Sequence, residues 1–297
     1  MSSPDFSAPA QTSAPRLPVR RGLFEPVVAQ LTYRTLLGRR RALLLGLIPA
    51  LLLVLAGAIR QWGEVSAANT VDLLNSFALS VGVALVGRIA GTTAIGPEVD
   101  DGSIVYLMAK PLSRYTIATT KFWVAAAVTT VFGAGSTLLA GFVLATGQGT
   151  ANDDTVNVAV AMAVAALLAG LAYVALFLAL AVFTRVAVVV GLIYIVVWEG
   201  LVGGLVAGAQ QLSVHQWSLA VAEEMLGDRA PEVSLDSPVG FVPALITLAV
   251  VILAGLRGSR ELAIGLALTA LAAVLHRRGF DRGAAWRERE DQRHRDF

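Results

Sequence analysis

Long apolar runs with few charged residues follow one another along the chain. Each is long enough to cross about 30 Å of hydrocarbon, because an α-helix rises about 1.5 Å per residue. Six such runs are predicted to be spans, and they cover residues 42–59, 73–95, 122–147, 156–184, 186–207 and 239–256. The pattern therefore predicts an all-α, polytopic integral membrane protein with six transmembrane helices.

A shorter amphipathic pattern precedes the first run. Phe24, Val27, Val28 and Leu31 recur at helical spacing, while polar residues occupy the other side. This pattern predicts a short amphipathic helix that ends at the arginine cluster 39–41 and lies in the interface on the cytoplasmic face. A soluble extension of the first span is the alternative interpretation.

The two ends of the chain differ from the region between them. Residues 1–22 are rich in Ser, Pro and Ala without periodicity, and they predict a disordered cytoplasmic leader. An extra apolar segment, residues 257–276, follows the sixth run, and a seventh crossing would place the arginine-rich tail outside. We therefore expect this segment to be membrane-associated without crossing, although its core, 262–275, competes with 239–256 for the role of sixth span. Residues 277–297 are expected to form a charged cytoplasmic tail.

The composition supports the membrane class. Hydrophobic residues make up 56% of the chain and charged residues 15%, whereas soluble domains average about 45–50% and 25%. The chain has no cysteine and three histidines, which leaves no disulfide framework and little material for a metal site. We therefore expect no cofactor, no bound metal and no catalytic residue.

The arginines are concentrated at the two ends. Seven precede the first run and seven follow the last: Arg16, Arg20, Arg21, Arg34, Arg39, Arg40, Arg41, Arg277, Arg278, Arg282, Arg287, Arg289, Arg293 and Arg295. The positive-inside rule then predicts a multi-pass protein of the cell membrane with both termini cytoplasmic. Acidic residues are interleaved with the C-terminal arginines, so we expect no nucleic-acid partner.

Neither of the two lysines, Lys110 and Lys121, follows a glycine, so the chain has no G-x-x-x-x-G-K-[ST] phosphate-binding loop. The chain cannot bind ATP in that way, and energy from ATP has to come through a partner.

The loop between the second and third spans, residues 94–123, carries the most informative motif. Pro97 and three acids predict a helix start, because Glu98, Asp100 and Asp101 complement the positive end of the helix dipole. An apolar face and a stop signal follow: Ile104, Leu107, Met108, Lys110 and Pro111. Such a short, apolar-faced helix is suited to dock in a groove of another protein and transmit its motion. A divalent cation held by the acids is the alternative.

This loop resembles the signature of the type-2 ATP-binding cassette permease family. The matching residues are Gly96-Pro97-Glu98, Asp101-Gly102-Ser103, Leu107, Lys110-Pro111, Ser113-Arg114 and Lys121. The entry to the first span is also similar, so the resemblance covers about residues 25–256, nearly all of the predicted permease domain 23–256. Beyond Leu256 the chain departs from the family, whose members usually end in a short basic segment.

The resemblance implies a six-span exporter subunit that forms a homodimer or heterodimer and works with separate cytoplasmic ATPase subunits. It also implies that the loop is a cytoplasmic coupling helix, with the N-terminal interfacial helix beside it. The residues it implies for docking on the ATPase are Glu98, Asp101, Gly102, Ile104, Leu107, Met108, Lys110, Pro111 and Arg114.

Two charged residues lie inside the spans. Arg88 is close enough to the cytoplasm for its side chain to snorkel, a reading that we favour over a substrate or gating role. Glu199 lies deeper in the fifth span, where it is expected to pair across a dimer, to line the translocation path or to be protonated. Gly200, Gly204 and Gly208 follow at four-residue spacing and predict close helix packing at a dimer seam.

The predicted external segment, residues 208–238, carries His215 and Trp217, which we expect to be interfacial anchors. The sequence favours an exporter permease and does not identify the substrate. An ion-driven secondary transporter, with Glu199 as its proton or cation site, is one alternative. A membrane-embedded lipid-modifying enzyme is the other.

Overall fold

A computed structural model describes residues 24–63, 66–100, 114–146, 153–184, 186–202, 213–227 and 240–257. Every regular element within these ranges is helical, which confirms the all-α class for this part of the chain. The predicted leader, the charged tail and all of the extra apolar segment except Arg257 lie outside the described residues.

Ten α-helices are described. They are α1 (Pro26–Leu36), α2 (Arg39–Trp62), α3 (Ala67–Leu73), α4 (Ala84–Asp100), α5 (Arg114–Thr129), α6 (Ser136–Ala145), α7 (Asp153–Phe183), α8 (Ala187–Ile193), α9 (Val214–Leu226) and α10 (Phe241–Arg257). Three wider π-helical segments continue them: π1 (Leu74–Val83) joins α3 to α4, π2 (Thr130–Gly135) joins α5 to α6, and π3 (Tyr194–Val202) extends α8.

Four of the described helices are long and apolar enough to cross a membrane. They cover Arg41–Trp62, Ala67–Gly96, Thr116–Ala145 and Asp154–Val182, and they coincide with the first four predicted spans. Two shorter apolar helices, Ala187–Glu199 and Phe241–Leu253, fall in the fifth and sixth runs. These helices are consistent with a multi-pass membrane protein, and the count of six crossings stays a prediction.

Helix α7 is the centre of the bundle. It carries no charge after Asp154 and is apolar on all sides, as expected of a helix surrounded by others. It packs against α4, α6, α9 and α10. In its most apolar stretch 61% of the residues are buried, against 17% for α2, so α7 forms the core and α2 lies at the periphery.

Two glycines allow α4 to approach α7 closely. Gly87 and Gly91 are four residues apart, the spacing of close-packed membrane helices. A Cβ atom on Gly91 would lie 2.9 Å from the Cβ of Phe177 and 3.1 Å from the backbone nitrogen of Leu178. Only glycine fits at this contact, and the glycine pair was not among the predicted packing residues.

Pro97 does not begin a helix, and that prediction is wrong. Helix α4 continues through Pro97 and ends at Asp100. Membrane helices tolerate an internal proline when neighbouring groups satisfy the backbone that the proline disturbs. In the same turn the Nζ atom of Lys121 donates a hydrogen bond of 2.5 Å to the Ala94 carbonyl.

Candidate functional site

Most of the predicted ATPase-docking residues lie outside the part of the chain that the structure describes. These are Asp101, Gly102, Ile104, Leu107, Met108, Lys110 and Pro111. Glu98 is in the last turn of α4, and Arg114 is the first residue of α5. The structure therefore describes the two helix ends between which the predicted coupling segment runs.

These two helix ends pack together with α1. Leu36 of α1, Ala94 and Ile95 of α4, and Phe122 and Ala125 of α5 belong to one buried apolar cluster, which we call the α1/α4/α5 cluster. Leu36 and Ala125 are fully shielded from solvent. Because close-packed interiors transmit displacement, the three helices are expected to move as one unit.

Two polar contacts reinforce the α1/α4/α5 cluster. The backbone N–H of Glu25 donates a 3.0 Å hydrogen bond to Oγ1 of Thr120, which ties the start of α1 to α5. The Lys121 ammonium, only 1% exposed, joins α5 to the Ala94 carbonyl of α4. A buried ammonium costs several kcal/mol of desolvation unless hydrogen bonds compensate it, so this contact fixes the spacing of α4 and α5. The pattern of the sequence gave no sign that Lys121 is buried.

Arg88 joins α4 to α8. Its Nη1 atom donates a 3.1 Å hydrogen bond to the Val188 carbonyl, and its Nε atom is buried without a hydrogen-bond partner in the described residues. The Arg88 guanidinium is therefore hydrogen-bonded to α8 within the bundle. Snorkelling of this side chain toward the cytoplasm stays a prediction.

Glu199 is the centre of a second polar site. It lies in π3, where Oε1 accepts hydrogen bonds from the Tyr194 hydroxyl at 3.1 Å and from the Val214 backbone N–H at 3.2 Å. Oε2 accepts a hydrogen bond from the Ser213 hydroxyl. Ser213 is the N-cap of α9, and its Oγ also accepts from the Gln216 backbone N–H. Both carboxylate oxygens thus bind the start of α9, the end of a helix that favours negative charge.

Aromatic residues connect this site to the core. Tyr173 and Phe177 of α7 stack with ring centroids 6.0 Å apart, and Phe177 meets Tyr194 edge to face at 5.9 Å. Tyr194, a hydrogen-bond donor to Glu199, is therefore in contact with the buried aromatic side chains of α7. Gly200 follows within π3. Gly204 and Gly208 lie outside the described residues, so the glycine stripe stays a prediction.

Helix α9 is an element that the sequence analysis missed. Its acidic surroundings suggested an external segment, yet Trp217 is only 2% exposed and packs in the core cluster around α7. The expected role of Trp217 as an interfacial anchor is therefore wrong. Ser213 and Gln216 are three residues apart, a capping-box pattern that predicts a helix start.

The other expected anchor, His215, is paired within the bundle. Its Nε2 lies 2.8 Å from Oδ1 of Asn75. Helix α9 is outside the predicted spans, and burial lowers the pKa of His215 to about 4, so its ring is neutral at pH 7. The described residues include no group of three or more histidines and acids that could hold a metal ion.

Replacing Glu199 by alanine is expected to loosen α9. The change leaves the donors of Tyr194, Ser213 and Val214 without their acceptor, and each buried unsatisfied group costs about 1–3 kcal/mol. The expected total is about 3 kcal/mol or more, with a smaller loss for Glu199→Gln, whose amide oxygen still accepts. Hydrogen exchange of the α9 amides in lipid nanodiscs measures the effect.

Glu224→Ala is the matched control for this prediction, because Glu224 is an exposed acid on α9, the helix whose hydrogen exchange is measured. It is expected to leave α9 exchange unchanged. Equal protection of α9 in the Glu199→Ala and Glu224→Ala variants would show that the hydrogen bonds of Glu199 do not hold the helix.

Comparison with known proteins gives one family. No curated protein and no solved structure matches the chain. The family model described as "ABC-2 family transporter protein" matches residues 27–256. This range includes all four candidate spans and both shorter apolar helices, and it agrees with the resemblance found in the loop between the second and third spans. The chain therefore belongs to the ABC-2 transporter family.

Proposed function

We propose that this chain is the permease subunit of an ATP-binding cassette exporter, which moves a substrate across the cytoplasmic membrane with ATP hydrolysed by a separate subunit. Family membership supports the permease role. The observation that carries the coupling part of the proposal is the α1/α4/α5 cluster, in which both helices flanking residues 101–113 are packed against each other and against α1.

A displacement of residues 101–113 would reach the core through this cluster. Lys121 holds α5 to α4, so the two flanking helices respond together. Helix α4 in turn packs against α7 through Gly87 and Gly91, where an added Cβ would lie less than 3 Å from the Cβ atoms of Tyr173 and Phe177. A motor that pushes on the segment would therefore move the centre of the bundle.

The ATPase is proposed to dock on this segment and on the adjoining helix ends. The proposed docking residues are Glu98, Asp101, Gly102, Ile104, Leu107, Met108, Lys110, Pro111 and Arg114. The chain itself has no Gly-Lys pair and hence no phosphate-binding loop. We accordingly propose a transport subunit without enzymatic activity of its own, oriented with both termini and the α1/α4/α5 cluster on the cytoplasmic side.

The second permease subunit is proposed to pack against α8 and π3. Val189, Ile193 and Val196 are each more than half exposed on this stretch, while Glu199 on the same segment binds α9 of its own chain. The apolar side of α8 and π3 is thus available to a partner helix. Gly200, and further along Gly204 and Gly208, would allow close approach at this seam.

The contacts of Glu199 favour the exporter over an ion-driven transporter. A coupling proton or cation would have to compete with three donors from the same chain for the carboxylate oxygens. A lipid-modifying enzyme would need convergent reactive side chains near the interface. No described cluster of histidines and acids supplies them.

Affinity purification of the tagged full-length chain from its native membrane, in mild detergent, tests the proposed function. A subunit with a phosphate-binding loop is expected to copurify in a fixed ratio, and the complex is expected to hydrolyse ATP. Absence of such a subunit after chemical cross-linking in the intact membrane would overturn the proposal. Solute movement driven by an ion gradient in liposomes that contain the chain alone would support the secondary transporter instead.

A further inference from the structure

An apolar groove separates α1 from the outer side of α5 and π2. It is open on one side and has a volume of about 660 Å³, within the range of about 300–1,000 Å³ typical of small-molecule sites. Tyr33 and Gln30 line it from α1, and Trp123, Ala127, Val131 and Phe132 line it from α5 and π2. This groove lies on the outer side of the helices that form the α1/α4/α5 cluster.

The lining selects for hydrocarbon. Its polar side-chain groups are the amide of Gln30, the hydroxyl of Tyr33 and the indole N–H of Trp123, and the other lining residues are aliphatic or phenylalanine. A charged ligand inside the groove would lose its hydration without a counter-charge, at a cost of several kcal/mol. The occupant that fits is therefore an apolar chain with a polar group at one end.

The position of the groove points to the bilayer as the source of this occupant. Its α5 and π2 wall belongs to the candidate span Thr116–Ala145. From Trp123 to Phe132 the wall rises about 14 Å at 1.5 Å per residue. Trp123 is 55% exposed and Val131 65% exposed, so the groove opens sideways along its length. Tyr33 and Trp123 are residues enriched at membrane interfaces, which places the polar end beside α1.

Two arginines lie near the second half of α1, next to the residues that line the groove. Arg34 is exposed and lies one turn after Gln30 on the same side of α1. Arg41 donates a 3.3 Å hydrogen bond from Nη1 to the Thr35 carbonyl, which holds its guanidinium against the end of α1. Clusters of arginine at a membrane surface attract anionic headgroups. The charge at the groove entrance thus complements a phosphodiester.

We propose that this groove binds one acyl chain of an anionic phospholipid, with the headgroup at Arg34 and Arg41. The bound chain fills the space between α1 and α5 and holds α1 against the α1/α4/α5 cluster. Binding of this lipid is a property of the permease chain alone and needs no ATPase partner.

Photo-cross-linking identifies the occupant directly. The full chain carrying Tyr33→p-benzoylphenylalanine is placed in nanodiscs with equal amounts of phosphatidylglycerol and phosphatidylcholine, irradiated, and examined by intact-protein mass spectrometry. Adducts of phosphatidylglycerol are expected to exceed those of phosphatidylcholine about fivefold or more. The same photoreactive residue in place of Leu47, on the 62% exposed surface of α2, is expected to label both lipids equally.

Two further variants locate the binding site. In the chain with the photoreactive residue at position 33, the additional change Ala127→Trp fills the groove. It is expected to reduce all lipid labelling at position 33. Adding Arg34→Gln and Arg41→Gln is expected to abolish the preference for phosphatidylglycerol while labelling continues. The proposal is overturned if the two lipids label position 33 equally, or if the adduct is a segment of this chain, a second copy or another protein. Because the assay contains no ATPase, these outcomes are independent of the exporter proposal.

Discussion

Alanine at Ile104, Leu107 and Met108 together is expected to release the ATPase subunit and abolish ATP-driven transport. These residues recur at i, i+3 and i+4, and they form one apolar face if the segment is helical. Burying each side chain contributes about 1.5–3 kcal/mol. Losing three therefore removes at least about 4 kcal/mol of docking energy, which is about a thousandfold in affinity. The amount of ATPase that copurifies with the tagged chain measures the effect.

The matched control removes comparable side chains from a surface that is not proposed to dock. Leu44, Leu47 and Leu51 are exposed on the peripheral helix α2, and their triple alanine variant is expected to keep the ATPase. Both variants are compared at equal abundance in the membrane fraction. If the Ile104, Leu107 and Met108 variant also keeps the ATPase and its hydrolysis of ATP, the segment is not the docking element.

Hydropathy predicted the long helices because a helix that crosses a bilayer must be both long and apolar. Both properties can be summed residue by residue along the sequence. The four candidate spans match the first four predicted runs for this reason. The π-helical segments and the close contact at Gly91 depend on which helix lies opposite, and a one-dimensional pattern does not contain that information. The four-residue spacing of Gly87 and Gly91 was the available signal, and it is shared by many glycine pairs in membrane helices.

The polar residues were harder to place than the apolar ones. Lys121 has the position of a lysine at a membrane entry, and its burial arises only because α4 brings the Ala94 carbonyl within reach. Glu199 was recognised as unusual from its depth in an apolar run. Two of its three donors, Ser213 and Val214, lie at the start of α9, a helix that the acidic composition of residues 208–238 concealed. A charge pattern reports the average environment of a segment, whereas the role of one charged group depends on two or three neighbours.

Replacing Gly91 by leucine is expected to destabilise the bundle by at least about 3 kcal/mol. Overpacking a well-packed interior typically costs about 1–3 kcal/mol. Here the new Cβ would lie 2.9 Å from Cβ of Phe177 and 3.1 Å from the carbonyl oxygen of Val174. Backbone atoms of α7 cannot rotate away, so α4 and α7 must separate. Thermal unfolding in detergent measures the loss, and Gly91→Ala provides a milder variant if the leucine variant does not fold.

Gly46→Leu tests whether the close contact, and not the loss of a glycine, causes the effect. Gly46 lies in the peripheral helix α2, and a Cβ there meets no atom within 4 Å. Leucine also has a higher helix propensity than glycine, by several tenths of a kcal/mol or more, so this variant is expected to be at least as stable as the parent. Equal unfolding temperatures for the Gly91 and Gly46 variants would contradict the tight α4 to α7 contact. They would also remove the route by which residues 101–113 are proposed to move the core.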